Sequence, residues 1–292
     1  MTRSITARLE QGVVLLDGGL GSQLIARGLT SGTAPERWNI ERPDDVRAVH
    51  ESYVAAGSDA IHTNSFGGNP FVLEKHGLAD QLEAINHAAA RLAREATGSE
   101  RLVAGDLGPS GLLLPPVGTA DVGVLEEGFG RQASALAEGG VDYIAIETMM
   151  DLEEALAALR GAAAATSLPV TVCMTFDRKK RGFFTMMGNR PAVCVERLAE
   201  AGAVAVGANC SVGSEDMLEL CGLLLEASEV PVIVEPNAGH PEMEGGRAVY
   251  RQTPEDFAAD VAEMARRGAR VVGGCCGTDD RFIAALKREL AL

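Results

Sequence analysis

Val271-Val272-Gly273-Gly274-Cys275-Cys276-Gly277-Thr278 is the stretch on which the reading of this chain turns. A β-branched run climbs into a glycine turn and there delivers two adjacent cysteines, as a parallel strand does when it presents thiols at its carboxyl end. A similar run, Ala203-Val204-Ala205-Val206, leads into Gly207-Ala208-Asn209-Cys210-Ser211. Two strands that end in glycine and then cysteine predict one shared thiol site, and the sequence around them sets the fold.

Working outward, six further apolar runs have strand length. They are Val13–Leu16, Ser58–Thr63, Arg101–Gly105, Val141–Ile146, Pro169–Thr175 and Pro231–Glu235, with the eighth strand over Ala269–Val272. Helical periodicity fills the intervals: a start at Ser22, then Arg47–Ala56, Leu82–Ala96, Leu125–Gly139, Leu152–Ala165, Pro191–Ala201, Glu215–Ala227, Pro254–Arg267 and a closing helix Phe282–Leu292. Strands spaced by roughly 25 to 45 residues and separated by helices are the repeat of a (β/α)8 TIM barrel of ~250 residues, an α/β fold. A doubly wound open sheet has the same alternation and is the alternative. With no Pro/Gly/Ser linker to divide it, the chain reads as a single domain over residues 1–292.

The polar residues fall where a barrel would use them. Asp17, Asn64, Asp106, Glu147, Thr175, Cys210, Glu235 and Cys275 lie at or just past strand carboxyl ends, which converge on the face where barrel active sites are built. The charge run Asp177-Arg178-Lys179-Lys180-Arg181-Gly182 reads most simply as a solvated, mobile loop tip.

Composition narrows the function classes. The 292 residues are 46% hydrophobic with 34 glycines and 4% aromatic residues, a profile of an Ala/Val/Leu-rich enzyme with many tight turns. A formal charge of −15 opposes binding to nucleic acid or anionic membrane, since both are held through Lys and Arg. No apolar run approaches the ~18 residues of a membrane span, and the N-terminus lacks a signal-peptide core, so we expect a cytoplasmic protein. Six cysteines are too sparse for a disulfide scaffold. Cys173, Cys194 and Cys221 sit in apolar surroundings and read as core.

Cys210, Cys275 and Cys276 together read as metal ligands, although a Cys-Cys pair alone could be two buried thiols or a vicinal disulfide. Three thiolates suit a zinc ion that keeps a fourth position for substrate. Zn²⁺ with three thiolates carries a formal charge of −1, a poor activator of water but a good holder of a soft fourth ligand, which points to a substrate thiol. Coordination deprotonates a thiol and leaves its sulfur nucleophilic, so the expected reaction is attack by a thiolate on an activated alkyl group. Asp17-Gly18-Gly19-Leu20-Gly21 is a tight βα turn. Its bare amides could hold a carboxylate, while Asp17 and Glu147 take an ammonium, together gripping an α-amino acid. Each acid could instead be a structural cap. Trp38 could face a cationic methyl donor through its ring or simply pack under the first loop. Glu235 is either a partner for such a cation or a solvated strand end. His62 and His240 read as scaffold residues.

Leu16-Asp17-Gly18-Gly19, Thr63-Asn64-Ser65-Phe66-Gly67, Gly108-Pro109, Ile146-Glu147-Thr148, Gly207-Ala208-Asn209-Cys210, Pro236-Asn237-Ala238-Gly239 and the opening stretch, in that order, resemble the homocysteine S-methyltransferase family. The resemblance implies a zinc-dependent barrel that methylates homocysteine to methionine. It implies that Cys210, Cys275 and Cys276 ligate zinc, that Asp17 and Glu147 hold the homocysteine amino group, and that the Gly18-Gly19 amides hold its carboxylate. By the same resemblance Asn209 and Asn237 support the site from behind.

Ala34-Pro35-Glu36-Arg37-Trp38-Asn39 and Met174-Thr175-Phe176-Asp177 look like bacterial betaine-homocysteine methyltransferases. Gly67 and Thr148 stand where the animal betaine enzymes carry tyrosines. The chain is also similar to the homocysteine-binding module of cobalamin-dependent methionine synthase. The expected donor is a small onium compound such as betaine or S-methylmethionine. The alternatives are a subunit served by a separate corrinoid protein or methyl-folate partner, and a non-catalytic zinc or amino-acid binding module.

Overall fold

The computed structural model describes residues 4–30, 32–244 and 247–291. Eight parallel strands form one sheet: β1 (Val14–Leu15), β2 (Ala60–His62), β3 (Leu102–Leu107), β4 (Tyr143–Met149), β5 (Val170–Met174), β6 (Ala205–Gly213), β7 (Val232–Asn237) and β8 (Val271–Val272). Their order is β1-β8-β7-β6-β5-β4-β3-β2. The seam between β1 and β2 is closed by a mixture of backbone and side chain. Asp59 N–H donates to Leu15 O at 2.7 Å, Leu15 N–H to Asp59 Oδ2 at 3.0 Å, and His62 N–H to Asp17 Oδ2 at 3.0 Å. An open doubly wound sheet would leave both edges unpaired; here the first and second strands meet and the sheet is a (β/α)8 barrel.

Each strand is followed by a helix on the outside: α1 (Pro43–Ala56), α2 (Leu82–Thr97), α3 (Val122–Glu138), α4 (Leu152–Ala165), α5 (Pro191–Glu200), α6 (Ser214–Ala227), α7 (Pro254–Arg267) and α8 (Asp280–Leu290). Their starts are written in the sequence. Proline opens α1, α5 and α7, and Asp121, Asp151, Thr253 and Asp279 cap α3, α4, α7 and α8 with side-chain oxygens. Helices α3 and α4 approach so closely that a Cβ on Gly161 would lie 2.2 Å from Glu126 O.

The strands alternate between two cores. One side chain in two enters the barrel, where Val14, Leu16, Ala60, Leu102, Ala104, Tyr143, Ala145, Cys173, Ile233 and Val271 pack over Ile5 and Leu9 of a helix, Ile5–Gln11, that plugs the amino-terminal end. The others pack outward on the helices, with Cys194 and Cys221 fully buried among them. The three cysteines expected in the core are there.

Three features depart from the sequence reading. The plug helix is too short, at seven residues, to declare itself by periodicity. The charge run after β5 is an antiparallel hairpin, Asp177–Lys179 with Gly182–Phe184, and Arg178 reaches Asp216 and Glu219 at 2.6 and 2.7 Å. Strand β6 runs on past Val206 to Gly213 because it keeps pairing with β7 as far as Asn237. The end expected for the last helix, Leu292, lies outside the described residues. Among the described residues no helix is long and apolar enough to cross a membrane.

Candidate active site

The thiol site rests on two irregular strand ends and one turn. Pairing shifts register between Ile146 and Met149 on β4 and between Asn209 and Gly213 on β6. There Thr148, Cys210 and Ser211 take left-handed backbone, with φ of 56°, 59° and 61°. Such conformations are costly for residues with a Cβ and gather where surrounding contacts hold them for a purpose. The contacts are present: Ser211 Oγ donates to Asp177 Oδ1 at 2.9 Å, and Thr175 Oγ1 donates to the Asn209 carbonyl at 3.0 Å. The hairpin misread as a free loop therefore braces the Cys210 corner.

The Cys275-Cys276 turn is pinned by backbone. Cys275 N–H donates to Pro236 O at 2.8 Å, Ala238 N–H to Cys276 O at 3.0 Å, and Gly274 N–H to Asp17 O at 3.0 Å. Thr278 Oγ1 donates to Cys275 O at 2.7 Å and accepts Gly19 N–H at 3.0 Å. Gly19 has no room for a side chain, since a Cβ would sit 2.6 Å from Cys275 O.

Cys210, Cys275 and Cys276 bring their sulfurs within 4.8 Å of one another, and the Cys210 and Cys276 sulfurs are 3.9 Å apart. All are free thiols, so no vicinal disulfide joins Cys275 to Cys276. Ligands at ~2.3 Å in tetrahedral geometry have sulfurs ~3.8 Å apart, so this triangle fits one face of a zinc-sized tetrahedron. The electrostatics agree. Hydrogen bonds from the Cys210 and Cys275 thiols hold Cys276 as a thiolate, its pKa down to about 3, while Cys275 is pushed well above the ordinary thiol value. A bound divalent cation would let all three thiols ionise together.

Cys210, Cys275 and Cys276 open onto a cavity of about 510 Å³, also lined by Gly18, Gly19, Glu36, His62, Phe66, Asp106, Glu147 and Glu235. That volume is in the range of small-molecule sites, ~300–1,000 Å³. Its floor is acidic. Burial, with the Glu147 charge beside it, keeps Asp106 protonated well above the carboxylate range. Burial lifts Glu235 to about 8, against the partial relief that His62 gives. The reading of Glu235 as a solvated strand end is corrected, because only 5% of it is exposed. Burial alone would lower His62, but Asp17, through charge and a 2.8 Å hydrogen bond from Nδ1 to Oδ1, outweighs it and raises the pKa well above that of free histidine.

The expected substrate residues divide. Glu147 faces the cavity, and Asn209 locks it there: Nδ2 donates to Glu147 Oε2 at 2.5 Å and Oδ1 accepts Thr148 N–H at 2.8 Å. Asp17 sits behind His62, with one carboxylate oxygen on the His62 backbone N–H and the other on its ring, and it does not line the cavity. Gly18 and Gly19 do line it, although the Gly19 amide is taken by Thr278. Asn237 is buried at the end of β7 beside the cysteine turn, with Oδ1 unpartnered. Trp38 is not in the cavity wall. It is 6% exposed, and the cation over its ring, at 4.1 Å, is the chain's own Arg42. His240 lies at the surface, with Nε2 3.2 Å from Asp216.

Thr278 and Tyr250 belong to the site but were not singled out in the sequence as site residues; Asp106 was marked only among the strand-end residues, and Thr148 only by resemblance. Tyr250, from the long segment before α7, helps hold the Cys276 thiol's pKa down, and a Cβ on Gly277 would collide with its ring at 2.2 Å. Its place inside a polar stretch with no period gave no signal. Asp106 and Thr148 stood at strand ends that sequence could mark only as a class, and Thr278 stood within the motif itself.

A model of the homocysteine S-methyltransferase family matches residues 14–290. The methionine synthases of Mycobacterium tuberculosis and Mycobacterium leprae are each 31% identical over 301 aligned residues, covering 97% of this chain and 25% of theirs. The chain thus spans about a quarter of the length of these relatives. The homocysteine methyltransferase MmuM from Escherichia coli in its metallated form has a similar structure, with a TM-score of 0.80, 26% identity and 96% of each chain covered. Its apo form gives a TM-score of 0.73.

Proposed function

Because the chain belongs to the homocysteine S-methyltransferase family, we propose that it transfers a methyl group to the thiolate of homocysteine, giving methionine, with zinc held by Cys210, Cys275 and Cys276. The carrying observation is the triangle of free thiols opening onto an acidic cavity of amino-acid scale. Zinc held there supplies thiol deprotonation near neutral pH while leaving the substrate sulfur nucleophilic.

The chain's own residues do the rest. Glu147, held by Asn209 and Thr148, takes the substrate ammonium, while Asp17, expected to share that task, is taken up by His62. The Gly18-Gly19 edge before the Leu20–Ala26 helix takes the carboxylate, beside the Gly19 amide that Thr278 holds. Asn237 supports the cysteine turn through its own strand, whose neighbours Pro236 and Ala238 grip Cys275 and Cys276. Binding at both ends aims the sulfur at the open side of the cysteine triangle, which converts a bimolecular methyl transfer into a positioned one. The Glu147 carboxylate and the Phe66 ring in the cavity wall favour a cationic methyl donor, a sulfonium or quaternary ammonium such as S-methylmethionine or betaine. Three reduced thiols require a reducing compartment such as the cytoplasm.

The length relation to the methionine synthases supports a second reading, in which the methyl group arrives from a corrinoid protein or methyl-folate partner. A donor screen separates them. Zinc-loaded chain with homocysteine should form methionine alone with betaine or S-methylmethionine. Activity only with methylcobalamin or its carrier favours the second reading, and zinc and homocysteine binding with no methionine from any donor overturns both.

A further inference from the structure

The carboxylate of an amino acid enters the cavity at a disadvantage. The wall carries the acidic side chains Glu36, Asp106, Glu147 and Glu235, and among the described residues neither lysine nor arginine lines it. The glycine edge is short of donors, because Thr278 already accepts the Gly19 N–H at 3.0 Å. His62 is the buried group that can answer this charge. It donates from Nδ1 to Asp17 Oδ1 at 2.8 Å, while Asp17 Oδ2 accepts the His62 backbone N–H at 3.0 Å. Both oxygens of Asp17 are thereby committed to one residue, a clamp that fixes the ring. Burial works against a charged ring, but Asp17, with Glu235 and Glu147 beyond it, keeps the proton in place.

The other ring nitrogen is free to act. Nε2 has no hydrogen-bond partner among the described residues, and the side chain keeps 10% of its surface exposed where it lines the cavity. A charged imidazole that donates through Nδ1 presents a second N–H at Nε2. Asp17 directly precedes Gly18-Gly19, so the ring it clamps and the glycine edge belong to one stretch of the wall, in the cavity that Glu147 also lines. We propose that His62 Nε2 binds the α-carboxylate of the acceptor amino acid, with Asp17 as its positioning residue, so that the site selects thiols carrying both an ammonium and an adjacent carboxylate. The proposal rests on the thiol S-methyltransferase reading and deepens it by naming what restricts the acceptor to an amino acid.

The pairing also explains why Asp17 is turned away from the substrate. It is 1% exposed, engaged at both oxygens and absent from the cavity wall, so its charge acts on the ring. Glu147 is left as the ammonium partner and His62 as the carboxylate partner, a complementary set for one zwitterion. A charge-assisted hydrogen bond in a cavity closed to water is stronger than the same bond in solution. An acceptor without the carboxylate leaves the Nε2–H unpaired in a buried place, which is how a polar site rejects a truncated ligand.

The test titrates zinc-loaded protein calorimetrically, without turnover, with homocysteine, with 3-aminopropane-1-thiol, which lacks only the carboxylate, and with 4-mercaptobutanoate, which lacks only the ammonium. In His62→Gln, which keeps a neutral amide for Asp17, affinity for homocysteine and 4-mercaptobutanoate should fall on the order of 10- to 100-fold, while affinity for 3-aminopropane-1-thiol stays at the wild-type value. Asp17→Asn should give the same pattern to a smaller degree, because it disturbs the ring rather than the substrate. An Asp17 that touched the ammonium would instead weaken 3-aminopropane-1-thiol together with homocysteine and spare 4-mercaptobutanoate. That result, equal losses for all three thiols, or no loss in either variant overturns this inference alone. If His62→Gln folds poorly, Asp17→Asn carries the same comparison. Wild type that holds zinc but binds none of the three thiols overturns the acceptor reading beneath it as well.

Discussion

The sulfurs of Cys210 and Cys276 stand 3.9 Å apart across 66 residues of sequence, one on the left-handed corner of β6 and the other on the turn after β8. Nothing in the fold requires two thiols to meet there. With Cys275 they form one face of a tetrahedron of the size that zinc–sulfur bonds of ~2.3 Å give. We expect one zinc per chain by plasma emission spectrometry. Each of Cys210→Ala, Cys275→Ala and Cys276→Ala should lose metal by at least tenfold in affinity while keeping the far-ultraviolet circular dichroism of the barrel. Unchanged metal content in these variants would show that the ligands lie elsewhere.

Asn209 separates substrate holding from metal holding. Its amide joins Glu147 Oε2 to Thr148 N–H and touches none of the cysteine sulfurs closer than 4.0 Å. Asn209→Ala frees the Glu147 carboxylate to swing and leaves the Thr148 amide, held at positive φ, without its acceptor. The loss of hydrogen bonds to a charged group, about 1.5–3 kcal/mol, should raise homocysteine KM roughly 10- to 100-fold. Zinc content should stay near wild type, and a variant that loses both together would assign Asn209 to the metal instead.

Most of the barrel was legible because its signals are local. Apolar runs such as Val170–Met174 and capped helices such as α4 repeat at a regular spacing, and chemistry placed at strand ends needs only the end to be found. The cysteine trio was legible for the same reason. What was not legible depends on partners far away in sequence. Asp17 looked like a free carboxylate until His62, 45 residues on, was found to occupy it. Trp38 looked like an available ring, but Arg42 covers it one helical turn later. Glu235 looked solvated because burial at the mouth of a barrel depends on seven other strands. Tyr250 had no period at all, and only the tertiary fold brings it to Cys276.

Gly19 couples the first strand to the cysteine turn by close approach. A methyl group there would meet the Cys275 carbonyl at 2.6 Å, and that carbonyl is fixed by Thr278. Backbone cannot yield as a flexible side chain can, so Gly19→Ala should displace the turn and cost about 1–3 kcal/mol of stability. The expected readouts are a lowered melting temperature and weakened zinc binding in the same variant. Gly21→Ala is the control, since nothing lies within 4 Å of the Cβ it would add. Equal behaviour of the two variants would remove close packing as the reason for glycine at position 19.

Glu235 gives the metal-free chain a stability that depends on pH. Burial raises its pKa in the folded state to about 8, above the ordinary 4.5 that an exposed glutamate keeps on unfolding. Between those two values the folded chain holds a proton that the unfolded chain has released. The favourable contribution of protonated Glu235 is therefore complete below pH ~4.5 and is lost as pH rises through 8, with stability falling over that interval by a few kcal/mol at most. His62 acts in the same direction, because its folded pKa is also raised. Thermal melts of metal-free protein from pH 5 to pH 8.5 should show a declining midpoint, and Glu235→Gln, which cannot ionise, should flatten the decline and melt higher than wild type at the alkaline end. A midpoint that declines equally in Glu235→Gln would assign the pH dependence to His62 or to the cysteines instead.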